Sequence, residues 1–127
     1  MKIFVNNLSE FEEDIRKLAR KVVKGEKLKG ELSITFVNDK KMKEMNKQYT
    51  KRDDVTDVLS FGFDDMPELM GDIYISISQA ERQKEGDFLS ELKLLTVHGI
   101  LHLAGYDDKT NHQRKIMREK EKYYLKQ

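Results

Sequence analysis

The apolar positions change period along the chain, and the changes lay out its elements. Residues 2–6 (KIFVN) read as a first strand. Phe11, Ile15, Leu18 and Val22 then recur at helical spacing, with Ser9 and Glu12 placed as a capping box in front and Gly25 ending the run. In residues 32–37 (LSITFV), Leu32, Ile34 and Phe36 alternate with Ser33 and Thr35, the pattern of a half-buried strand. Asn38 is placed to cap a short helix with Met42, Met45 and Tyr49 on its inner face. Residues 55–63 (VTDVLSFGF) are β-branched and aromatic enough for a strand, 64–70 read as a loop, and 71–76 (GDIYIS) as another strand. Ser78 and Glu81 predict a second capping box, opening a short helix that ends near Gly86. Residues 88–103 form the longest apolar helical run, with Gly105 at the usual stop position. A final amphipathic helix from about Asn111 carries Ile116, Met117, Tyr123 and Tyr124.

Strands and helices are mixed without strict alternation. The expected class is therefore α+β: one small mixed sheet flanked by helices, the longest helix central. The order and direction of the strands are not readable from the pattern. No linker, repeat or low-complexity tract divides the 127 residues, so the expectation is one domain over residues 1–127. The N-terminal residues show no apolar leader pattern and no run is long enough to span a membrane, so a cytoplasmic protein is expected.

Composition narrows the chemistry. Cysteine is absent, which excludes disulfides and thiolate zinc sites and leaves nitrogen and oxygen as metal ligands. Basic and acidic residues nearly balance, 24 against 23, so only a local cluster could mark a nucleic-acid partner. The densest basic stretch before the last helix holds Lys40, Lys41, Lys43, Lys47, Lys51 and Arg52, interrupted by Glu44 and flanked by acids.

All three histidines fall within residues 98–112 (HGILHLAGYDDKTNH). His98 and His102 stand four apart in the central helix, so both imidazoles lie on one face, one turn apart. Gly105 lets the chain turn back, and Asp108 follows three residues later. This H-x3-H-x2-G-x2-D spacing is that of metzincin metalloproteases with aspartate as the third ligand. Two imidazoles and one carboxylate leave a coordination position open for catalysis. His112 competes for the third place. A zincin peptidase would carry glutamate beside its first histidine, and here that position is Gly99, which weakens a peptidase reading.

These residues resemble the YbeY-type rRNA maturation endoribonucleases. That family's signature H-G-x-L-H-L-x-G-Y-D-H is met by HGILHLAGYDD (98–108), and three further blocks are echoed by NKQYTKRDDVTDVLSF (46–61), MGDIYI (70–75) and ELKLLTVHG (91–99). The resemblance covers about residues 30 to 120. It implies a single zinc ion per chain at the mouth of a cleft, held by His98, His102 and Asp108. It also implies hydrolysis of single-stranded RNA in rRNA maturation and ribosome quality control, with rRNA precursor, ribosome or small-subunit proteins as partners.

The chain departs from the family pattern at three places: Asp108 replaces histidine, Thr50 replaces arginine and Val55 replaces proline. The carboxylate widens the choice of metal to manganese, iron or nickel. The missing arginine leaves Arg52, then Lys51, as candidates for contacting the phosphate in the transition state. Thr56, Asp57 and Ser60 are candidates for lining the cleft or bracing a histidine. The competing classes are a ribosome-assembly factor with a structural metal and a metallohydrolase of peptidase type.

Overall fold

The structure, a computed structural model, describes residues 2–50, 56–62 and 69–126, without the side chains of Tyr49, Thr50, Leu69 and Met70. The elements run β1 (Lys2–Asn6), α1 (Glu12–Gly25), β2 (Gly30–Val37), α2 (Asp39–Thr50), β3 (Val58–Gly62), β4 (Leu69–Ser76), α3 (Ile77–Gln83), α4 (Phe88–Leu103) and α5 (Asn111–Leu125). The four strands form one mixed sheet in the order β1-β2-β4-β3, with β3 antiparallel and the others parallel. The α+β expectation with a small mixed sheet and a central helix is met.

Register decides which side chains meet the helices. Val5, Ile34, Ile73 and Ser60 share one cross-strand row, and Leu32, Gly71 and Gly62 lie in the row beside it. Leu32, Ile34, Ile73 and Ile75 are fully buried, and with Ile15, Val22, Leu92, Val97, Ile100 and Leu101 they make the core between the sheet and the helices. α4 is apolar on nearly every side because it packs against α1, α3, α5, β3 and β4 at once. It comes closest to the sheet where side chains are missing. A Cβ on Gly99 would lie 3.0 Å from Ile73 Cγ2, and one on Gly71 would lie 2.6 Å from Leu103 Cδ1.

Several local expectations are corrected. Ser9 caps nothing: Phe11 stands at the head of α1 in the left-handed region, and Glu12 pairs forward with Arg16 at 2.8 Å instead of reaching back. The cap of α3 is Ser76, whose hydroxyl accepts from Gln79 N at 3.1 Å, while Glu81 pairs with Lys84. α3 accordingly ends at Gln83, and Asp87 caps α4.

Gly25 is the last residue of α1 rather than its stop. Lys27, at φ 59°, makes the left-handed turn there, with Leu28 N donating to Val23 O. Leu69 and Met70, read as loop, begin β4, and residues 64–68 of that reading lie outside the described residues. Thr56 and Asp57 precede β3, and Val55 and Phe63 lie outside the described residues. Asn38 caps α2 as expected, accepting from Lys41 N at 2.9 Å.

Candidate metal centre

His98 and His102 sit in the last two turns of α4, with their rings 4.6 Å apart and nearly perpendicular. Their Nε2 atoms are 3.1 Å apart. Asp108 Oδ2 lies 3.6 Å from the first and 3.5 Å from the second. The carboxylate is carried there by the way α4 ends. Gly105 takes φ 104°, Gly105 N donates to His102 O, and Tyr106 N donates to Leu101 O. This is the left-handed stop that Gly105 predicted, and it reverses the chain toward the histidine face. Arg114 on α5 then donates to the Asp108 carbonyl at 3.0 Å.

Three acceptor atoms converging on one point suit a cation, and the spacing tests which kind. Ligands held about 2.0–2.1 Å from a tetrahedral zinc stand about 3.3–3.4 Å apart. The observed separations of 3.1, 3.5 and 3.6 Å bracket that value. The donor set therefore fits a small divalent ion. Among the described residues, His98, His102 and Asp108 form the group whose ligand atoms converge. His112 is exposed in the first turn of α5 and does not join it.

Glu121 is the residue that sequence reasoning missed. Its carboxylate, nearly buried on α5, meets His98 Nδ1 at 2.8 Å. A carboxylate on Nδ1–H fixes the tautomer that leaves the Nε2 lone pair free for the cluster. Burial by itself pushes the His98 pKa down. The Glu121 hydrogen bond and charge, followed by the charges of Asp108 and Asp57, outweigh burial and raise it. A signal was present in the sequence: Met117, Glu121 and Tyr124 fall at helical spacing, which sets one carboxylate in the buried stripe of α5.

A cleft of about 490 Å³ opens beside the cluster, walled by Thr56, Asp57, Ser60 and Leu103. Ser60, on the sheet row that faces α4, donates to the Gly99 carbonyl at 3.1 Å and so ties β3 to the histidine helix. Asp57 Oδ2 accepts from Gln83 Nε2 at 2.9 Å, and the same amide reaches Glu91 Oε2 at 2.8 Å. Thr56, Asp57 and Ser60 thus line the cleft, while the brace on His98 comes from α5. Lys51 and Arg52 lie outside the described residues.

The family model described as "Endoribonuclease YbeY" matches residues 3–127. The chain belongs to the endoribonuclease YbeY family. Endoribonuclease YbeY of Desulforamulus reducens is 40% identical over 98% of this chain and 95% of its own length. Endoribonuclease YbeY of Bacillus thuringiensis is 35% identical over 96% of this chain and 92% of its own. Among solved structures, the solution structure of TM1509 from Thermotoga maritima is similar at 30% identity and a TM-score of 0.67, covering 97% of this chain and 86% of that one. No helix of the described residues is long and apolar enough to cross a membrane.

Proposed function

We propose that this protein is a metal-dependent endoribonuclease that cuts single-stranded RNA, with rRNA precursors in the cytoplasm as its substrate. The observation that carries the reading is the convergence of His98 Nε2, His102 Nε2 and Asp108 Oδ2 at the mouth of the cleft, in a chain of the endoribonuclease YbeY family. These three atoms would hold one divalent ion, with zinc the first choice on donor type and spacing. When bound, such an ion supplies Lewis acidity, which polarises a phosphate oxygen and acidifies a water molecule.

The chain's own residues provide the rest. Glu121 holds the His98 ring in one tautomer and one orientation. Ser60 locks the strand that walls the cleft to the helix that carries the histidines. Thr56 and Asp57 present a hydroxyl and a carboxylate to a strand entering the cleft. Arg52, then Lys51, remain the proposed phosphate contacts.

Gly99 weighs against a peptidase. A glutamate there would bring its Cβ to 3.0 Å from Ile73 and 3.2 Å from Ser60 Oγ, so it would fit only if those side chains gave way, and the general base of zincins is absent.

The test compares cleavage of a single-stranded RNA before chelation, after chelation and after adding back zinc or manganese. It also compares metal content by elemental mass spectrometry in wild type, Asp108→Ala and His112→Ala, all prepared without a histidine tag. About one ion per chain, lost in Asp108→Ala and kept in His112→Ala, with cleavage following the ion, is expected. Cleavage that ignores chelation would overturn the reading, and so would a metal that leaves with His112.

A further inference from the structure

Charge is balanced along the chain but not in space. Residues 17–29 hold six basic side chains against Glu26, and residues 111–126 hold six against Glu119 and Glu121. The two stretches carry a net charge of +9 in a chain whose formal total is +1, which leaves the rest at −8. The fold brings them together. α1 packs on α5, and Lys21 Nζ donates to the carbonyls of Tyr124 and Lys126 at 3.1 and 3.2 Å.

Between the two helices runs a trough of about 710 Å³, larger than the metal cleft, flanked by Lys21, Lys24 and Lys120 over an apolar floor of Ile116 and the Tyr124 ring. Through Lys21 and Tyr124 it continues into a recess of about 280 Å³ that bears Lys17 and Lys93. Glu119 lines the first cavity and Asp14 the second. Lys17 and Lys24 form no ion pair among the described residues. Tyr123, 66% exposed, packs in a T-shaped pair with Tyr124 and keeps most of its side chain in solvent. A line of cations beside an exposed aromatic ring is how proteins hold an unpaired nucleic-acid strand.

We propose that this trough is a second RNA-binding surface, apart from the metal cleft. It tracks the phosphates of a single strand along Lys17, Lys21 and Lys24, which share one face of α1, and stacks a base on Tyr123. The proposal rests on the endoribonuclease reading and says where the strand is held outside the site of cleavage. Lys17 and Lys24 contribute by charge alone, whereas Tyr123 contributes by stacking. Their removal should therefore be distinguishable by salt.

The experiment uses the full chain as wild type, as the double variant Lys17→Glu/Lys24→Glu, and as Tyr123→Ala. Binding of a fluorescent 2′-O-methyl single-stranded oligonucleotide is followed by anisotropy over a salt series. Cleavage of the matching native RNA and binding of poly-glutamate are read in parallel. Charge reversal should weaken RNA binding about tenfold or more and flatten the salt dependence by about one unit of slope or more. Tyr123→Ala should weaken it by about tenfold with the slope unchanged. Wild-type binding in both variants, alongside normal cleavage, would overturn the proposal and leave the endoribonuclease reading standing. Poly-glutamate bound at the trough in place of RNA would overturn it in favour of an acidic protein partner. A wild-type chain that binds the oligonucleotide but never cleaves the native RNA would fail the endoribonuclease reading by itself.

Discussion

Two clusters of polar side chains join helices in this molecule, and they are built on opposite rules. At the end of α1, the nearly buried carboxylate of Glu26 accepts hydrogen bonds from the Tyr124 hydroxyl and from Lys120 Nζ. Lys120 also stands over the Tyr106 ring at 5.6 Å. In that clasp donors face acceptors, and the protein satisfies itself. At the end of α4, three acceptor atoms face one another across 3.1 to 3.6 Å, and Asp108 is 44% exposed. Lone pairs that converge in this way suit a cation between them. Complementarity marks the clasp as structural, and convergence makes the second cluster the candidate metal centre.

Removing members of each cluster should separate these rules, and the largest effect belongs to the convergent one. Asp108→Ala should abolish metal retention and reduce RNA cleavage at least about a hundredfold, while far-UV circular dichroism stays that of the wild type. Glu121→Gln should retain the site but weaken metal affinity by about 10–100-fold, read by competition with a chelating dye. Tyr124→Phe should leave metal content unchanged and lower stability to urea by about 1.5–3 kcal/mol, because a buried carboxylate loses a donor.

The clasp also predicts a pH dependence. Burial alone raises the Glu26 pKa, but the Tyr124, Tyr106 and Lys120 contacts outweigh it and hold the carboxyl below its ordinary range. A carboxyl depressed in the folded state contributes stability above its unfolded pKa and loses that contribution as pH falls through its folded pKa. Glu26→Gln should therefore flatten the acid limb of a stability-against-pH curve. Some slope should persist, because the Arg82 hydrogen bonds to Asp39 and the Ser90 backbone bond to Asp87 also hold those carboxyls low. The smallest effect is expected for Thr110→Ala, at about 1 kcal/mol by thermal denaturation. It would break the capping box with Gln113 that starts α5 just before Arg114 reaches the Asp108 carbonyl.

The comparison also explains what the sequence discloses. A site on one helix and the turn after it is legible, because the spacing of His98, His102, Gly105 and Asp108 is set by local backbone geometry. The long apolar run of α4 and the strands around Ile34 and Ile73 are legible because burial is periodic. Capping is less so. Ser9 and Ser78 satisfy the pattern, yet Phe11 and Ser76 occupy the positions, since Glu12 and Glu81 find nearer partners in Arg16 and Lys84. Gly25 looks like a helix stop but is spared a side chain for Tyr124, whose hydroxyl and ring would clash with a Cβ placed there. The spacing within α5 places Glu121 in a buried stripe, but its pairing with His98 and the basic trough depend on which faces of α1, α4 and α5 meet, and no periodicity within one helix contains that.

The hydroxyl of Tyr124 reaches Glu26 across a sequence separation of 98 residues. A contact of that span closes nearly the whole chain into one loop, which is costly until the intervening core supports it. The two walls of the basic trough come from the same distant segments. While the chain is being synthesised, α1 is made early and its lysines have no opposite wall until residue 124 has emerged. The proposed surface for RNA takes one of its walls from α5, so a nascent chain without α5, or one that has lost it, would lack this grip on RNA.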